Sequence, residues 1–258
     1  MKKGLLNFIS LFLVAVTVFS LVSCDNTVDE PETTEPLTNK STTQAPVKIV
    51  EIPTDKGELA EMLNAAIEYV ELYCYHYTKH TVCKVDSVNV GTLSTASNAA
   101  EAFRSIFGKK DVAIEYNYNT SRDSFATNFP ESGYTVNDIS LISAQQTGNS
   151  IVITADFPNE SSPSENSGLL RKMSNDYLSV DSVNKALADF SSSAASVSVT
   201  VSDVRIKATI SAEDSSLTEL EVSFTQRFNL TGVTLVKLEG SGVTGTSQTT
   251  VKYSNIGV

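Results

Sequence analysis

Residues 219–230 read ELEVSFTQRFNL, and this stretch indicates the kind of fold that the chain adopts. Apolar side chains recur at even positions, namely Leu220, Val222, Phe224, Phe228 and Leu230. The odd positions between them carry Glu, Ser, Thr and Arg. Because successive side chains of a strand point to opposite faces of a sheet, this pattern predicts an antiparallel strand with one packed face and one face in water.

Other stretches with the same alternation predict further strands on both sides of this one. They cover residues 112–118, 139–141, 151–157, 233–238 and 249–253. Thr147-Gly148-Asn149 is predicted to be a hairpin turn between two of these strands, since Gly and Asn favour tight turns. The sequence therefore predicts a sheet of many antiparallel strands.

The apolar alternation changes phase at two places whose sequences resemble each other. Residues 84–90 read KVDSVNV, and residues 200–206 read TVSDVRI. In both, the apolar positions shift from odd to even numbers at a Ser/Asp pair. A β-bulge inserts one extra residue into a strand and has this effect. A duplicated helix-then-sheet unit and a chance likeness between two Val-rich strands explain the similarity equally well.

One amphipathic helix is clear before the first of these strands. Thr54 or Asp55 is a suitable N-cap, and Glu residues occupy the polar face of the helix. Apolar residues three and four apart predict its packed face. They are Leu59, Met62, Leu63, Ala66, Ile67, Val70, Cys74 and Tyr77.

Three shorter helices are predicted over residues 98–107, 167–178 and 182–190. Gly108 is a suitable stop for the first, and Asp181 is a suitable N-cap for the last. Helices and antiparallel strands together indicate an α+β fold, in which a curved antiparallel sheet packs against amphipathic helices. Two finer interpretations are a duplicated helix–sheet unit and an open half-barrel.

The N-terminus carries a targeting signal. Residues 1–3 read MKK, an apolar run covers residues 5–22, and residues 21–24 read LVSC. This segment resembles the signal peptide of bacterial lipoproteins, whose lipobox ends in a cysteine. The resemblance implies cleavage after Ser23 and a diacylglyceryl group on Cys24. An ordinary secretory signal and an uncleaved transmembrane helix are the alternatives.

The chain is therefore predicted to have three parts. Residues 1–23 are the signal peptide, and residues 24–48 are the lipidated N-terminus and a disordered tether rich in Thr, Pro and Glu. Residues 49–258 are predicted to form a single extracytoplasmic α+β domain, held at the cell membrane by the lipid on Cys24. Asp25 resembles a retention signal of diderm bacteria and has no such meaning in a monoderm, so the type of cell envelope stays open.

The other cysteines and both histidines lie in one stretch, at Cys74, His76, His80 and Cys83. A Cys2His2 metal site is one interpretation, since the two histidines are one helical turn apart, but the spacing matches no zinc motif. A disulfide between Cys74 and Cys83 is the second, because export permits disulfides. Two free, buried thiols are the third. We favour the disulfide over the free thiols and predict no metal site.

Composition and motifs argue against nucleic acid binding and catalysis. The formal net charge is −11, and an acidic surface repels phosphate backbones. Residues 240–245 match G-x-G-x-x-G, but no helix is predicted after them, so we assign these glycines to turns and a sheet edge. The sequence contains no G-x-S-x-G motif. We predict no enzymatic activity and no cofactor; a hydrolase that uses only carboxylates is the remaining enzymatic alternative.

The layout of lipobox, tether and curved sheet resembles that of LolA/LppX-type lipoproteins and of surface lipoproteins of unknown function from Firmicutes. In the LolA/LppX type, an open half-barrel holds lipid acyl chains. The resemblance implies a non-catalytic binding module whose cleft takes a lipid or another apolar ligand. The alternative is a structural or protein-interaction lipoprotein of the cell envelope with no small ligand.

Overall fold

The computed structural model describes residues 51–95, 98–120, 122–165, 168–235 and 238–257. In this part of the chain, nine strands form one sheet whose neighbouring strands are antiparallel. Five α-helices accompany the sheet in the same described part. The predicted α+β class is therefore confirmed. The signal peptide, the tether and Cys24 lie outside the described residues.

The strands, in chain order, are β1 (His76–Asn89), β2 (Lys110–Asn117), β3 (Leu141–Thr147), β4 (Ser150–Asp156), β5 (Glu160–Ser161), β6 (Ser192–Ser193), β7 (Ser196–Ser211), β8 (Leu217–Leu235) and β9 (Leu238–Gly257). Their order across the sheet is β2-β1-β9-β8-β7-β4-β3. The short strands β5 and β6 pair with β7 and β8. The sheet is therefore open, with β2 and β3 at its edges.

Strand β8 has the two faces that its alternation predicts. From Leu220 to Leu230 the even-numbered side chains are buried, whereas the odd-numbered ones are partly or fully exposed. The predicted hairpin turn at residues 147–149 joins β3 to β4. Gly148 in that turn has a φ of 60°, which glycine adopts without a steric penalty.

Both predicted changes of phase are β-bulges. The register of β7 on β8 shifts between Ser202 and Arg205, where Asp203 has a φ of 57°. The register of β1 on β9 shifts between Val85 and Ser87. In each strand the extra residue keeps apolar side chains on the packed face beyond the bulge.

The helices are α1 (Lys56–Tyr73), α2 (Ala99–Ile106), α3 (Arg122–Thr127), α4 (Leu169–Met173) and α5 (Val180–Asp189), and a 3-10 helix covers Gly91–Thr95. As predicted, Asp55 caps α1, and its carboxylate accepts hydrogen bonds from the N–H groups of Gly57 and Glu58. Helix α2 confirms the predicted helix before Gly108, which has a φ of 83°.

Two helix ends differ from the prediction. Helix α1 ends at Tyr73, and Tyr77, which the spacing placed on this helix, lies on β1. Helix α5 is capped by Ser179 rather than by Asp181. The Ser179 hydroxyl accepts the N–H of Ser182 in a capping box, which satisfies a donor at the start of the helix.

Helix α4 is much shorter than the predicted helix of residues 167–178. The backbone becomes extended at Ser174, whose hydroxyl accepts a hydrogen bond from the N–H of Asp176 at 3.0 Å. Local bonds between a serine side chain and the backbone compete with helical hydrogen bonding. Residues 174–179 consequently form a loop, which we call the α4–α5 loop.

Two hydrophobic cores lie on the same face of the sheet. The larger core includes Ile67 of α1 and Phe224 of β8. The smaller core includes Phe103 of α2, Leu187 of α5 and Phe228 of β8. Because Phe224 and Phe228 are four residues apart on one strand, they point to the same side.

The glycines of residues 240–245 lie within β9 and not in a turn. Gly240 and Gly242 pair with β8 alone in the described register, which is the sheet-edge position that we predicted. Gly245 instead lies between β1 and β8, and a Cβ atom there would be 2.3 Å from the ring of Phe107. That ring stacks on Phe228 at 4.4 Å between centroids, so the missing side chain makes room for it.

Candidate binding cleft

A band of buried polar side chains lies between the two cores. We call it the polar belt, and its members are Lys79, Thr81, Thr249, Ser247 and Gln226. They lie on β1, β9 and β8, three neighbouring strands in the middle of the sheet. Burial of polar groups costs free energy unless hydrogen bonds replace those made to water. Packing alone therefore does not explain why the polar side chains of this belt are buried.

Sequence reasoning missed the polar belt, although each strand carried a signal. Gln226 occupies the apolar phase of β8, between Phe224 and Phe228. The strands are far apart in the chain, and only their register brings Gln226 opposite Ser247 and Cys83 opposite Thr249. One polar residue among the apolar positions of a single strand is a weak signal. The site becomes evident only when polar residues interrupt the apolar positions of three adjacent strands.

An open cleft of about 410 Å³ lies over part of the polar belt. The sheet contributes Cys83, Gln226 and Thr249 to its lining. Phe107 and Leu178 give it apolar walls. Its charged lining residues are Lys110, Glu165, Arg171 and Asp176. The volume is within the range of about 300–1,000 Å³ that is usual for small-molecule sites.

Gln226 holds the α4–α5 loop against the sheet. Its Oε1 accepts a hydrogen bond from the Leu178 N–H at 3.0 Å, and its Nε2 donates to the Leu178 carbonyl at 2.8 Å. The side-chain amide of Gln226 therefore forms hydrogen bonds with both the N–H and the carbonyl group of Leu178. The position of this wall of the cleft therefore depends on Gln226.

Asp176 joins two lysines at the edge of the cleft. Its Oδ2 lies 2.7 Å from the Nζ of Lys79, and its Oδ1 lies 2.6 Å from the Nζ of Lys110. The Thr81 hydroxyl donates a further hydrogen bond at 3.2 Å. The side chain of Lys79 is 5% exposed and that of Asp176 is 13% exposed, so this pair is nearly removed from water.

The ionised form of Asp176 is favoured by these contacts. Burial alone would raise the pKa of this carboxyl, but the charges of Lys79 and Lys110 and their hydrogen bonds outweigh it, so the pKa lies below the usual value. The cluster of two lysines and one aspartate accordingly carries a net positive charge at neutral pH.

Two hydroxyls of the polar belt lack a hydrogen-bond partner within the described part of the chain. They are Thr249 Oγ1 and Ser247 Oγ, and both residues are almost completely buried. An unmade hydrogen bond of a buried polar group costs about 1–3 kcal/mol. Thr249 lines the cleft, but its hydroxyl oxygen is itself covered by the surrounding protein.

The predicted helical arrangement of His76 and His80 is wrong, because both residues lie on β1. The buried positions of this half of the strand are the odd ones, so the histidines point to the opposite face from the cleft. The Nε2 of His80 lies 2.7 Å from Oδ1 of Asp111 at the surface. In the described ranges, no three His, Cys, Asp or Glu side chains are grouped so that they could hold a metal ion.

Cys74 and Cys83 are free, buried thiols in the structure. Cys74 donates to the carbonyl of His76 at 3.0 Å, and Cys83 lies 3.8 Å from the carbonyl of Phe107. The extended strand from His76 to Cys83 covers roughly 23 Å at 3.3 Å per residue. A disulfide needs Cα atoms within about 7 Å of each other. The geometry therefore excludes the favoured disulfide and agrees with the alternative of two free thiols.

No family model matches the chain, and comparison with curated proteins and with solved structures finds no match. Among the residues that the structure describes, no helix has the length and apolar character needed to cross a membrane. The cleft and the N-terminal sequence are therefore the two features of the molecule that point to a function.

Proposed function

We propose that the protein is a non-catalytic binding module, anchored to the extracytoplasmic side of the cell membrane, that takes a small and largely apolar ligand into the cleft. The lining of the cleft carries this proposal, because an open space of about 410 Å³ brings the apolar Phe107 and Leu178 together with the charged Lys110 and Arg171.

The walls of the cleft support an apolar component in the ligand. Phe107 and Leu178 face the space from two different segments of the chain. Small-molecule sites typically combine apolar walls of this kind with a few fixed polar groups. The charges of Lys110 and Arg171 are such groups here.

The placement of the nucleophiles supports a role without catalysis. Cys83 is the cysteine in the cleft, and its thiol contacts a backbone carbonyl. In a cysteine nucleophile activated by histidine, the imidazole lies next to the thiol and takes its proton. His76 and His80 lie on the opposite face of β1 and therefore do not serve Cys83 as a base.

The anchor is proposed from residues 21–24, which read LVSC. Two acyl chains on Cys24 anchor a protein stably, whereas one chain gives only reversible binding. A flexible tether of the length predicted for residues 24–48 would have an r.m.s. span of roughly 25–30 Å, which is enough to hold the domain clear of the lipid surface. Mass spectrometry of the N-terminal peptide from the host tests this part, and Cys24→Ala is expected to release the protein into the soluble fraction.

The finer description of the fold is also a proposal. We infer an open half-barrel made from two related helix–sheet units, each containing a long strand with a bulge. The bulges in β1 and β7, which lie at the two similar stretches of sequence, support this duplication. A superposition of the two halves that aligns the bulges would support it, and a failure to align them would exclude it.

A second candidate function is protein interaction without a small ligand. Tyr69, Leu72, Tyr73 and Tyr75, near the end of α1, are 43–66% exposed. Large exposed apolar side chains that are close in the chain are typical of interaction surfaces. This alternative predicts that the cleft stays empty in the protein from its host.

Native mass spectrometry of the protein purified from its host separates the two functions. A co-purifying small molecule, released by organic extraction, is expected for the binding module. Leu178→Ala removes part of an apolar wall of the cleft and is expected to lower the bound fraction. Leu72→Ala is the control, because Leu72 is exposed and away from the cleft. An empty cleft in every preparation would contradict the proposal.

A further inference from the structure

We propose that the ligand of the cleft is an amphipathic anion. Its carboxylate or phosphate group is bound by Lys110 and Arg171, and its apolar part packs against Phe107 and Leu178. This inference rests on the proposed function and specifies the class of ligand that the cleft selects.

The cleft is less acidic than the chain as a whole. Two basic residues, Lys110 and Arg171, line it together with two acidic residues, Asp176 and Glu165, so the formal charges of its lining cancel. The whole chain carries −11. The cleft therefore lacks the excess of negative charge that the composition would suggest.

The acidic residues at the cleft are already occupied. Both oxygens of Asp176 accept hydrogen bonds, one from Lys110 and the other from Lys79 and Thr81. Glu165 accepts a hydrogen bond from the Ser179 hydroxyl at 2.9 Å. A cationic ligand would have to compete with these donors, so the cleft does not favour a cation.

The basic residues, in contrast, keep donors for a ligand. Lys110 has three N–H donors, of which one bonds to Asp176 within the described residues. Arg171 has five donors, and its Nη1 lies 3.7 Å from Glu131 Oε1, which is beyond hydrogen-bond distance. Their side chains are 36% and 31% exposed, so they are reachable and still partly shielded from water.

A partly shielded cation binds an anion more strongly than a fully solvated one. Hydrogen bonds between charged partners are shorter and roughly twice as strong as neutral ones. Lys110 and Arg171 therefore favour an anionic head group over a neutral one with the same apolar tail.

Isothermal titration calorimetry with matched ligands tests the inference on the protein lacking its signal peptide and lipid. The probes are decanoate, decyl phosphate and decan-1-ol, which share one alkyl chain and differ in the head group. At least one anion is expected to bind about ten-fold more tightly than the alcohol, as expected for a charge-assisted hydrogen bond. The ratio of the two anions identifies carboxylate or phosphate as the preferred group.

The variants Arg171→Gln and Lys172→Gln form a matched pair, because both remove one positive charge from α4 and only Arg171 lines the cleft. Arg171→Gln is expected to weaken the anion about five- to ten-fold and to leave the alcohol unchanged. Lys172→Gln is expected to change neither.

The outcomes separate the inference from the proposed function. Equal binding of the anions and the alcohol, or tighter binding of the alcohol, would overturn the anionic head group and leave the apolar binding module in place. Binding of none of the three probes would contradict the proposed function for chains of this kind, and the inference with it. An equal loss of anion affinity in both variants would show general electrostatic attraction and would overturn the role of Arg171.

Discussion

Replacing Asp176 with Asn tests how the polar belt is stabilised. The substitution keeps the size of the side chain and removes the negative charge between Lys79 and Lys110. Lys79 is 5% exposed, so its ammonium group would stay buried without a charged partner. Lys110 is 36% exposed, and water would compensate much of its loss.

The expected loss in the free energy of unfolding comes mainly from Lys79. Breaking a buried ion pair by removing one partner costs about 3–5 kcal/mol, because the other charge is left uncompensated. Since Asp176 retains 13% exposure and some contact with water, we expect a loss near the lower end, about 3 kcal/mol in the free energy of unfolding. Urea denaturation, followed by circular dichroism, measures this difference.

A double variant provides the control. Lys79→Met in the Asp176→Asn background removes the uncompensated charge and is expected to recover most of the lost stability. A loss below about 1 kcal/mol for Asp176→Asn is typical of exposed ion pairs. Such a result would refute the view that Asp176 and Lys79 form a buried ion pair. A double variant no more stable than the single one would also refute it.

The same substitution has a defined pH dependence. The pKa of Asp176 is lower in the folded protein than its usual value of about 3.9 in an unfolded chain. Its stabilisation is therefore fully present above about pH 4 and is lost as the pH falls through the folded-state pKa. The stability difference between the wild-type protein and Asp176→Asn is expected to shrink over that acidic range, which urea titrations at several pH values would show.

Three further variants or treatments have expected outcomes. Thr249→Val removes an unpartnered buried hydroxyl and is expected to stabilise the ligand-free protein by about 1 kcal/mol in urea denaturation, and a loss would mean that the hydroxyl is bonded. Gly245→Ala places a Cβ atom 2.3 Å from the Phe107 ring and is expected to cost about 2 kcal/mol or more, and an unchanged urea midpoint would contradict that close approach. Cys74 and Cys83 are expected to react with a thiol reagent only after unfolding, because both thiols are buried. The intact mass of the protein is expected to be the same with and without reductant. A mass difference equal to one disulfide would contradict the free thiols.

The parts of the fold that depend on local pattern could be predicted from the sequence. Alternation within β8 and the spacing of three and four in α1 each reflect the packing of one element on one core. The bulges at Ser202 and Val85 were also predictable, because a bulge changes the phase of a single strand. These signals need no knowledge of which strands become neighbours.

The parts that depend on contacts between distant residues could not be predicted. The α4–α5 loop is held against the sheet by Gln226, which lies 48 residues away from Leu178. The cleft combines residues of β1, β8 and β9, which only the strand order brings together. The disulfide prediction was wrong because Cys74 and Cys83 are close in sequence, but the extended strand between them keeps them far apart in space.

The strand order has a consequence for how the chain folds. The centre of the sheet pairs β1 with β9, so that Val82 lies opposite Thr250 near the far end of the chain. Contacts between residues so distant in sequence slow folding, since a large loop must close before they form. The middle of the sheet cannot be completed until synthesis of the last strand has finished. For a chain that crosses the membrane unfolded, as the proposed export implies, this arrangement delays folding until β9 has been made.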